Sequence, residues 1–307
     1  MTRFLLDSGD PDEYREISSL AKQKGQELWG STTNPTLIAK TISSKKITQD
    51  EAIALQKEIA LEILKIVPGA VSVEVYADEI TTAKEMISQG RDFAAWDKRI
   101  VVKIPTNIEG FKARSVLRKD GILTNNTLVF SLEQIFAICL HEEIIQQTYG
   151  PINSFSGWPP FVSPFVGRLD DSGVDGMELV EQSMVMKQKL NFTFPQGRKV
   201  WMLEASVRST SHIKRGINAE VELLTAPATV YKEWFTLKSE EREKLDTQQY
   251  AASLSDLPKW EIPHHLLPTA TEDAFFHLLT TDKLNIRHPL TDKGILRFAE
   301  DWKSILV

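Results

Sequence analysis

Cysteine is all but missing from this chain of 307 residues, which holds Cys139 alone. A single thiol cannot close an internal disulfide, so the fold has to stand on packing, and a reducing compartment suits it. Long apolar runs are missing as well: none approaches the ~18 residues of a membrane-spanning helix. The opening Met1-Thr2-Arg3-Phe4-Leu5-Leu6-Asp7 is too short and too soon acidic for a secretory leader. We therefore expect a cytoplasmic protein with no membrane partner. Positive charge is in deficit, with 36 Lys and Arg against 42 Asp and Glu. No basic run offsets that balance, so nucleic acid is not an expected partner. The chain also lacks HExxH, paired Cys-x-x-Cys, a P-loop and a Gly-x-Ser-x-Gly elbow. Its histidines (His141, His212, His264, His265, His277 and His288) are scattered, and none has a ligand-like partner on an expected strand. No metal and no other cofactor is expected.

What the chain does have is alternation. Short apolar runs that read as strands fall at Phe4–Leu6, Glu27–Gly30, Val71–Val75, Val101–Pro105, Gly121–Leu128, Phe161–Val166, Lys199–Val207 and Glu220–Leu224. Helical segments fill the intervals, among them Pro11–Gly25, Gln49–Ile66 with Thr48 and Glu51 as a capping pair, Asp78–Gln89 and Leu132–Gln147. Strict alternation of this kind specifies a parallel sheet, and eight units can close into a (β/α)8 TIM barrel. The other candidate, an open doubly wound sheet, is weakened because Asp7-Ser8-Gly9-Asp10 is no dinucleotide loop. A barrel needs only ~250 residues, so one domain over 1–307 leaves room for insertions.

Two stretches break the rhythm. Tyr149–Pro160 is rich in Gly, Pro, Ser and aromatics. An insertion at about 237–287 is charged and polar, and reads as a solvated helix and loop on the rim, or else as a lid or subunit contact. A C-terminal helix, at about 291–306, then carries Ile295, Phe298, Trp302 and Ile305 on one face.

One run stands apart. Val101-Val102-Lys103-Ile104-Pro105 places a lysine inside a strand that reads as buried on both faces. Burial disfavours the charged form of an amine, and a neutral amine in a dry site is what Schiff-base chemistry on a carbonyl needs. The plainer reading is a lysine that snorkels to water or pairs with a carboxylate. In such a barrel catalytic groups sit at the C-terminal strand ends. The polar residues expected there are Asp7, Asn34, Glu74, Lys103, Asn125, Thr127, Ser163, Arg168, Ser206 and Arg208. Singly, most have ordinary roles: Asp7 as a helix cap, Asn34 and Asn125 in turns, the arginines in surface ion pairs. Glu74 would point into the barrel, where a carboxylate is neutral or paired. Arg168 and Arg208, beside strand ends that carry Ser163 and Ser206, suit a phosphate clamp. As a set these groups suit a phosphorylated polyhydroxy ketone.

Several stretches also occur together in a known order. They are Leu6-Asp7-Ser8-Gly9, Thr32-Thr33-Asn34-Pro35-Thr36-Leu37-Ile38, Val71-Ser72-Val73-Glu74-Val75, Val101-Val102-Lys103-Ile104-Pro105 and Asn125-Asn126-Thr127-Leu128-Val129-Phe130-Ser131. Ser163-Pro164-Phe165-Val166-Gly167-Arg168-Leu169-Asp170-Asp171, Ala205-Ser206-Val207-Arg208 and His288-Pro289-Leu290-Thr291-Asp292-Lys293-Gly294 complete the series. The combination resembles the transaldolase family, in its short bacterial branch but with insertions. The resemblance implies a class I aldolase barrel with Lys103 as the Schiff-base lysine on the fourth strand. It implies Asp7 as the base for carbon–carbon cleavage and Glu74 with Thr127 as holders of a proton-shuttling water. Asn34 and Asn125 would hold the hydroxyls of a three-carbon unit, Ser163 would position the donor, and Arg168, Ser206 and Arg208 would take the phosphate. Family members acting as aldolases have tyrosine where Phe165 stands and glutamine where Glu74 stands. The implied activity is transfer of dihydroxyacetone between a ketose phosphate and an aldose phosphate, by a homo-oligomer. The alternatives are a fructose-6-phosphate aldolase, a relative acting on another anionic sugar such as a sulfonated one, and a non-catalytic phosphosugar-binding barrel.

Overall fold

The computed structural model describes residues 2–42, 46–150, 157–190, 200–255 and 257–307. The chain runs β1 (Arg3–Asp7), α1 (Pro11–Gln23), β2 (Leu28–Thr32), α2 (Pro35–Thr41), α3 (Gln49–Ile66), β3 (Val71–Glu74), α4 (Ala83–Ala94), β4 (Ile100–Pro105) and α5 (Ile108–Lys119). It continues with β5 (Thr124–Val129), α6 (Leu132–Tyr149), β6 (Phe161–Pro164), α7 (Val166–Asp170), α8 (Gly176–Lys189), β7 (Trp201–Glu204), α9 (Thr210–Asn218), β8 (Leu223–Ala226) and α10 (Ala228–Thr236). The strands pair in sequence order, all parallel, and β8 closes on β1, so the fold is a (β/α)8 barrel. Every residue of β3, β4, β5 and β6 is buried. Side chains face the barrel interior on one side and a helix on the other, which is why these strands read as continuous apolar runs. At the N-terminal end of the barrel, the Arg3 guanidinium lies over Trp29 at 5.5 Å and over Trp201 at 4.7 Å. No helix among the described residues is long and apolar enough to cross a membrane.

Several boundaries differ from the sequence reading, each for a local reason. The helix after β3 starts at Ala83 rather than Asp78, because Thr82 and Glu85 form a capping box while Asp78 folds a turn with Thr81. Strand β6 stops at Pro164, short of the expected Val166, because Val166 opens α7. Strand β8 begins at Leu223, not Glu220, since Glu220 takes φ +60 in the turn that ends α9. Lys199, and residues 151–156 of the Tyr149–Pro160 stretch, lie outside the described residues.

Beyond α10 come α11 (Ser239–Arg242), α12 (Thr247–Ser253), a 3₁₀ turn at His264–Leu266, α13 (Glu272–Thr280) and α14 (Pro289–Lys303). In the stretch expected as an insertion, α11 buries nothing, while α13 turns one face inward. Phe275 and Leu279 are buried, and His141 of α6 stacks on Phe275 at 4.7 Å. Behind that ring stands a buried charge network. Arg114 donates to Asn126 Oδ1 at 3.0 Å and to Glu142 at 2.6 Å, its Nη1 lies 3.0 Å from His141 Nδ1, and Arg118 donates to Glu142 at 2.9 Å. Burial pushes the His141 imidazole down to about 4. Burial works to raise the Glu142 carboxyl, yet Arg118 and Arg114 outweigh it and hold it at about 2.

The sign of the consequence is the same for both groups. Between pH 6.5 and 4 the unfolded chain protonates His141 and the folded one does not, so stability falls on acidification. The Glu142 contribution is present above the ordinary glutamate range and is lost as pH drops toward 2. The His141 share alone is worth roughly 3 kcal/mol. Asp7 and Glu74, whose carboxyls burial raises, act in the opposite sense over that interval, so the test is a difference. The urea midpoint should lose more between pH 6.5 and 4 in the unmodified protein than in His141→Gln, and equal changes in the two would refute the assignment.

The C-terminal helix α14 buries Ile295, Phe298 and Trp302 as its periodicity implied. Its first turn is tied to β5, where Leu128 takes φ +57 beside a register shift. Thr291 Oγ1 donates to the Leu128 carbonyl at 2.8 Å and accepts from Gln134 at 2.9 Å. Its last turns lie against α2, with Thr36 donating to Asp301. The helix thus spans the C-terminal mouth of the barrel.

Candidate active site

Register assembles the centre of the site. Glu74 of β3 pairs with Lys103 of β4, and Lys103 with Asn125 of β5, so three polar side chains stand abreast at one level. Lys103 and Glu74 are 3% and 4% exposed, which leaves neither to bulk water. Their Nζ and Oε2 are 2.9 Å apart, and Nζ also donates to the Thr33 carbonyl at 3.2 Å. Burial pushes the Glu74 carboxyl above the usual carboxylate range, with the Lys103 ammonium and then Arg168 opposing it. Glu74 Oε2 makes no well-angled hydrogen bond despite that distance, and Thr127 Oγ1, also buried, has no partner among the described residues. A cavity of about 10 Å³ touches Glu74, Pro105 and Phe298, close to the space one water needs.

Around this centre the strand ends add hydroxyls and amides. Ser163 donates to Asn125 Oδ1 at 2.7 Å, and Asn125 Nδ2 donates to Ser72 Oγ at 3.3 Å. Asn34 serves first as a cap: its Oδ1 accepts from Leu37 N–H at 3.0 Å, which starts α2 and leaves its amide nitrogen for other work. Asp7 ends β1, a strand held by Tyr14 donating to the Leu6 carbonyl at 2.9 Å and Tyr231 donating to that of Leu5 at 2.8 Å. Asp7 accepts from Thr32 Oγ1 at 2.7 Å and borders a cleft of about 610 Å³ that also touches Lys40, Leu37 and Thr229. Burial raises its carboxyl above the ordinary range, opposed by Lys103 and by the Thr32 hydrogen bond. A second cleft, of about 530 Å³, lies on the flank between α8 and residues 254–264 and shares no residue with this site.

The two arginines are placed differently. Arg168, on α7, is half-buried with its guanidinium 5.5 Å from the Phe165 ring, and Lys103 Nζ lies 5.8 Å from that same ring. Burial lowers its pKa, with Glu74 opposing. Arg208 is exposed and donates to Asp171 at 3.1 Å. Ser206 between them takes φ +59, a left-handed conformation that costs a serine energy, and its carbonyl accepts from Gly167 N–H at 3.0 Å. A Cβ on Gly167 would come within 2.3 Å of that oxygen, so the close approach of the two loops requires glycine there.

Sequence reasoning missed Ser72, the Thr33 carbonyl and Phe298, whose ring lies 5.9 Å from Lys103 Nζ. Ser72 could have been found from its i, i+2 spacing to Glu74; a backbone carbonyl gives no sequence signal. Among the described residues no cluster of His, Cys, Asp and Glu has the arrangement to hold a metal ion.

A parallel barrel with Asp7, Glu74 and Lys103 brought together toward the C-terminal end of its strands is built as the enzymes of this fold are. The chain belongs to the transaldolase/fructose-6-phosphate aldolase family, which it matches over residues 4–307. It is 31% identical over 302 residues to a protein named probable transaldolase from Lactiplantibacillus plantarum, covering 98% of this chain and 97% of that one. A probable transaldolase of Brevibacillus brevis is 31% identical over 303 residues, covering 99% of each chain. One from Chlorobium limicola is 36% identical over 232 residues, covering 75% of this chain and 89% of its own.

Proposed function

We propose that the protein is a transaldolase moving a dihydroxyacetone unit from a ketose phosphate to an aldose phosphate through a Schiff base on Lys103. The observation that carries this reading is the buried Lys103–Glu74 pair at 2.9 Å in the middle of a barrel strand. The Lys103 amine adds to the donor ketone, and loss of water gives an iminium. Asp7 takes the proton of the hydroxyl next to the carbon–carbon bond that breaks, and the iminium accepts the bonding electrons as an enamine. Because the lysine nitrogen serves as electron sink, the cycle requires no cofactor. Glu74 Oε2 and Thr127 Oγ1, which lack a well-angled hydrogen-bond partner among the described residues, hold the water that moves protons as the imine forms and hydrolyses. Asn34, Asn125 and Ser163 hold the three-carbon unit, and Arg168 with Ser206 and Arg208 takes the phosphate. Transfer from sedoheptulose 7-phosphate to glyceraldehyde 3-phosphate, giving erythrose 4-phosphate and fructose 6-phosphate, is the reaction we assign, carried out in the cytoplasm by a homo-oligomer. The relatives' names, at about 30% identity over whole chains, support the transaldolase part of this reading. The test is incubation with fructose 6-phosphate and borohydride, then peptide mapping. A three-carbon adduct on Lys103 supports the reading, and an adduct on another lysine overturns it.

The phosphate role makes a graded prediction. Arg168 is half-buried at the mouth, whereas Arg208 already has an exposed carboxylate partner. Arg168→Ala should raise KM for phosphorylated donors at least about tenfold, since a charge-assisted hydrogen bond contributes ~1.5–3 kcal/mol. Arg208→Ala should do less, and neither should alter use of dihydroxyacetone. Equal losses on both substrate types would mean a structural role.

The second reading, a fructose-6-phosphate aldolase, differs in the fate of the enamine. An aldolase protonates it and releases dihydroxyacetone, while a transferase keeps it until an acceptor arrives. Phe165, 6% exposed with its ring facing Lys103, offers no proton. With erythrose 4-phosphate present, transfer should exceed release at least about tenfold, ~1.4 kcal/mol in barrier, and Phe165→Tyr should shift the ratio toward release. Comparable transfer and release in the unmodified protein would favour the aldolase.

A further inference from the structure

The mouth of the barrel has two aromatic walls drawn from distant parts of the chain. Phe165 follows β6, and Phe298 comes from α14. The Arg168 guanidinium lies over both, 5.5 Å from the first ring and 5.1 Å from the second. No carboxylate among the described residues stands within 4.0 Å of it. Gly294, one turn before Phe298, gives an independent sign that this contact is built. A Cβ there would lie 2.9 Å from Arg168 Nη1 and 2.5 Å from Leu128 Cδ2, so the guanidinium packs directly on the helix backbone.

We propose that Phe298 is a positioning residue for Arg168, so that the C-terminal helix sets the preference for anionic over neutral ketose donors. An arginine free at the rim would sample many rotamers, and an anion would have to order it on binding. Held with its faces on two rings, the guanidinium keeps its edge donors for the anion and its orientation before the ligand arrives. The inference rests on the Lys103 Schiff base and on Arg168 as the anion contact.

Borohydride trapping on the full chain reads the half-saturating concentration of each ketose without an acceptor. Phe298→Leu should raise that concentration about tenfold more for fructose 6-phosphate than for dihydroxyacetone, any effect of the ring on Lys103 being common to both. Phe298→Tyr keeps the ring and should keep the ratio between the two ketoses close to that of the unmodified protein. In an Arg168→Ala background, Phe298→Leu should add nothing further for fructose 6-phosphate. Gly294→Ala, whose methyl crowds Leu128 Cδ2 and Arg168 Nη1, should reproduce the selective rise, and Phe298→Met, which keeps the bulk without the ring face, decides the question if Phe298→Leu fails to fold. Equal changes for both ketoses, no change for either, or a tyrosine variant as impaired as the leucine one would overturn the proposal. If the unmodified protein forms no Lys103 adduct with either ketose, the Schiff-base reading itself falls, which is a separate outcome.

Discussion

Lys103→Ala should lower kcat for transfer from fructose 6-phosphate by on the order of 10⁴-fold or more, because no other group can form the iminium. The substitution also changes the electrostatics of the site, since it removes the cation 2.9 Å from a carboxylate that is 4% exposed. A buried charge left without its partner is destabilising by ~3–5 kcal/mol unless it neutralises. Glu74 can neutralise, because burial already pushes its carboxyl upward. The variant should therefore fold, with a lower melting temperature that recovers in part as pH falls. Lys103→Arg separates the two effects. It keeps a cation beside Glu74 but supplies no amine that condenses with a ketone, so it should be as inactive as the alanine variant. Appreciable turnover in either variant would remove Lys103 from the mechanism.

Some of this is legible in the amino-acid sequence itself. Lys103 stood out because the residues around it leave no polar alternative for the strand, and strands covered on both faces are written as unbroken apolar runs. Thr48 with Glu51 marked the start of α3 for a purely local reason, and the capping box is there. What could not be read is non-local. Pairing of Glu74, Lys103 and Asn125 at one level depends on the stagger of the closed barrel, which no single strand encodes. Ser206 at φ +59 carries no glycine to announce it, and the strain is held by the Gly167 contact from another loop. Phe298 was visible as one member of an apolar stripe. Its destination over the barrel mouth follows from the anchoring of Thr291 on β5 and of Asp301 on α2. The hidden face of α13 was masked by its charged surroundings, although Ala274-Phe275-Phe276 could have signalled it.

Asp7→Asn should divide the catalytic cycle. The carboxylate is assigned to cleavage of the carbon–carbon bond, where a hydroxyl proton must leave as the aldehyde forms, and general-base catalysis of this kind contributes ~10²–10⁴-fold. Only the ionised form accepts that proton. Burial raises the Asp7 carboxyl, opposed by Lys103 and Thr32, so the acid limb of kcat should lie above the ordinary carboxylate range. Activity should fall as pH drops through it. Asparagine preserves the shape and can still accept from Thr32 Oγ1, now 2.7 Å from Asp7 Oδ1. It should lower kcat for fructose 6-phosphate by ~10²–10⁴-fold and abolish the acid limb. Imine formation with dihydroxyacetone breaks no carbon–carbon bond, so borohydride should still trap that ketone on Lys103 in the variant at close to the unmodified rate. Glu74 is the competing source of an acid limb, since its carboxyl is raised as well. A limb that persists in Asp7→Asn would belong to Glu74. Loss of trapping in parallel with turnover would move Asp7 from bond cleavage to imine formation.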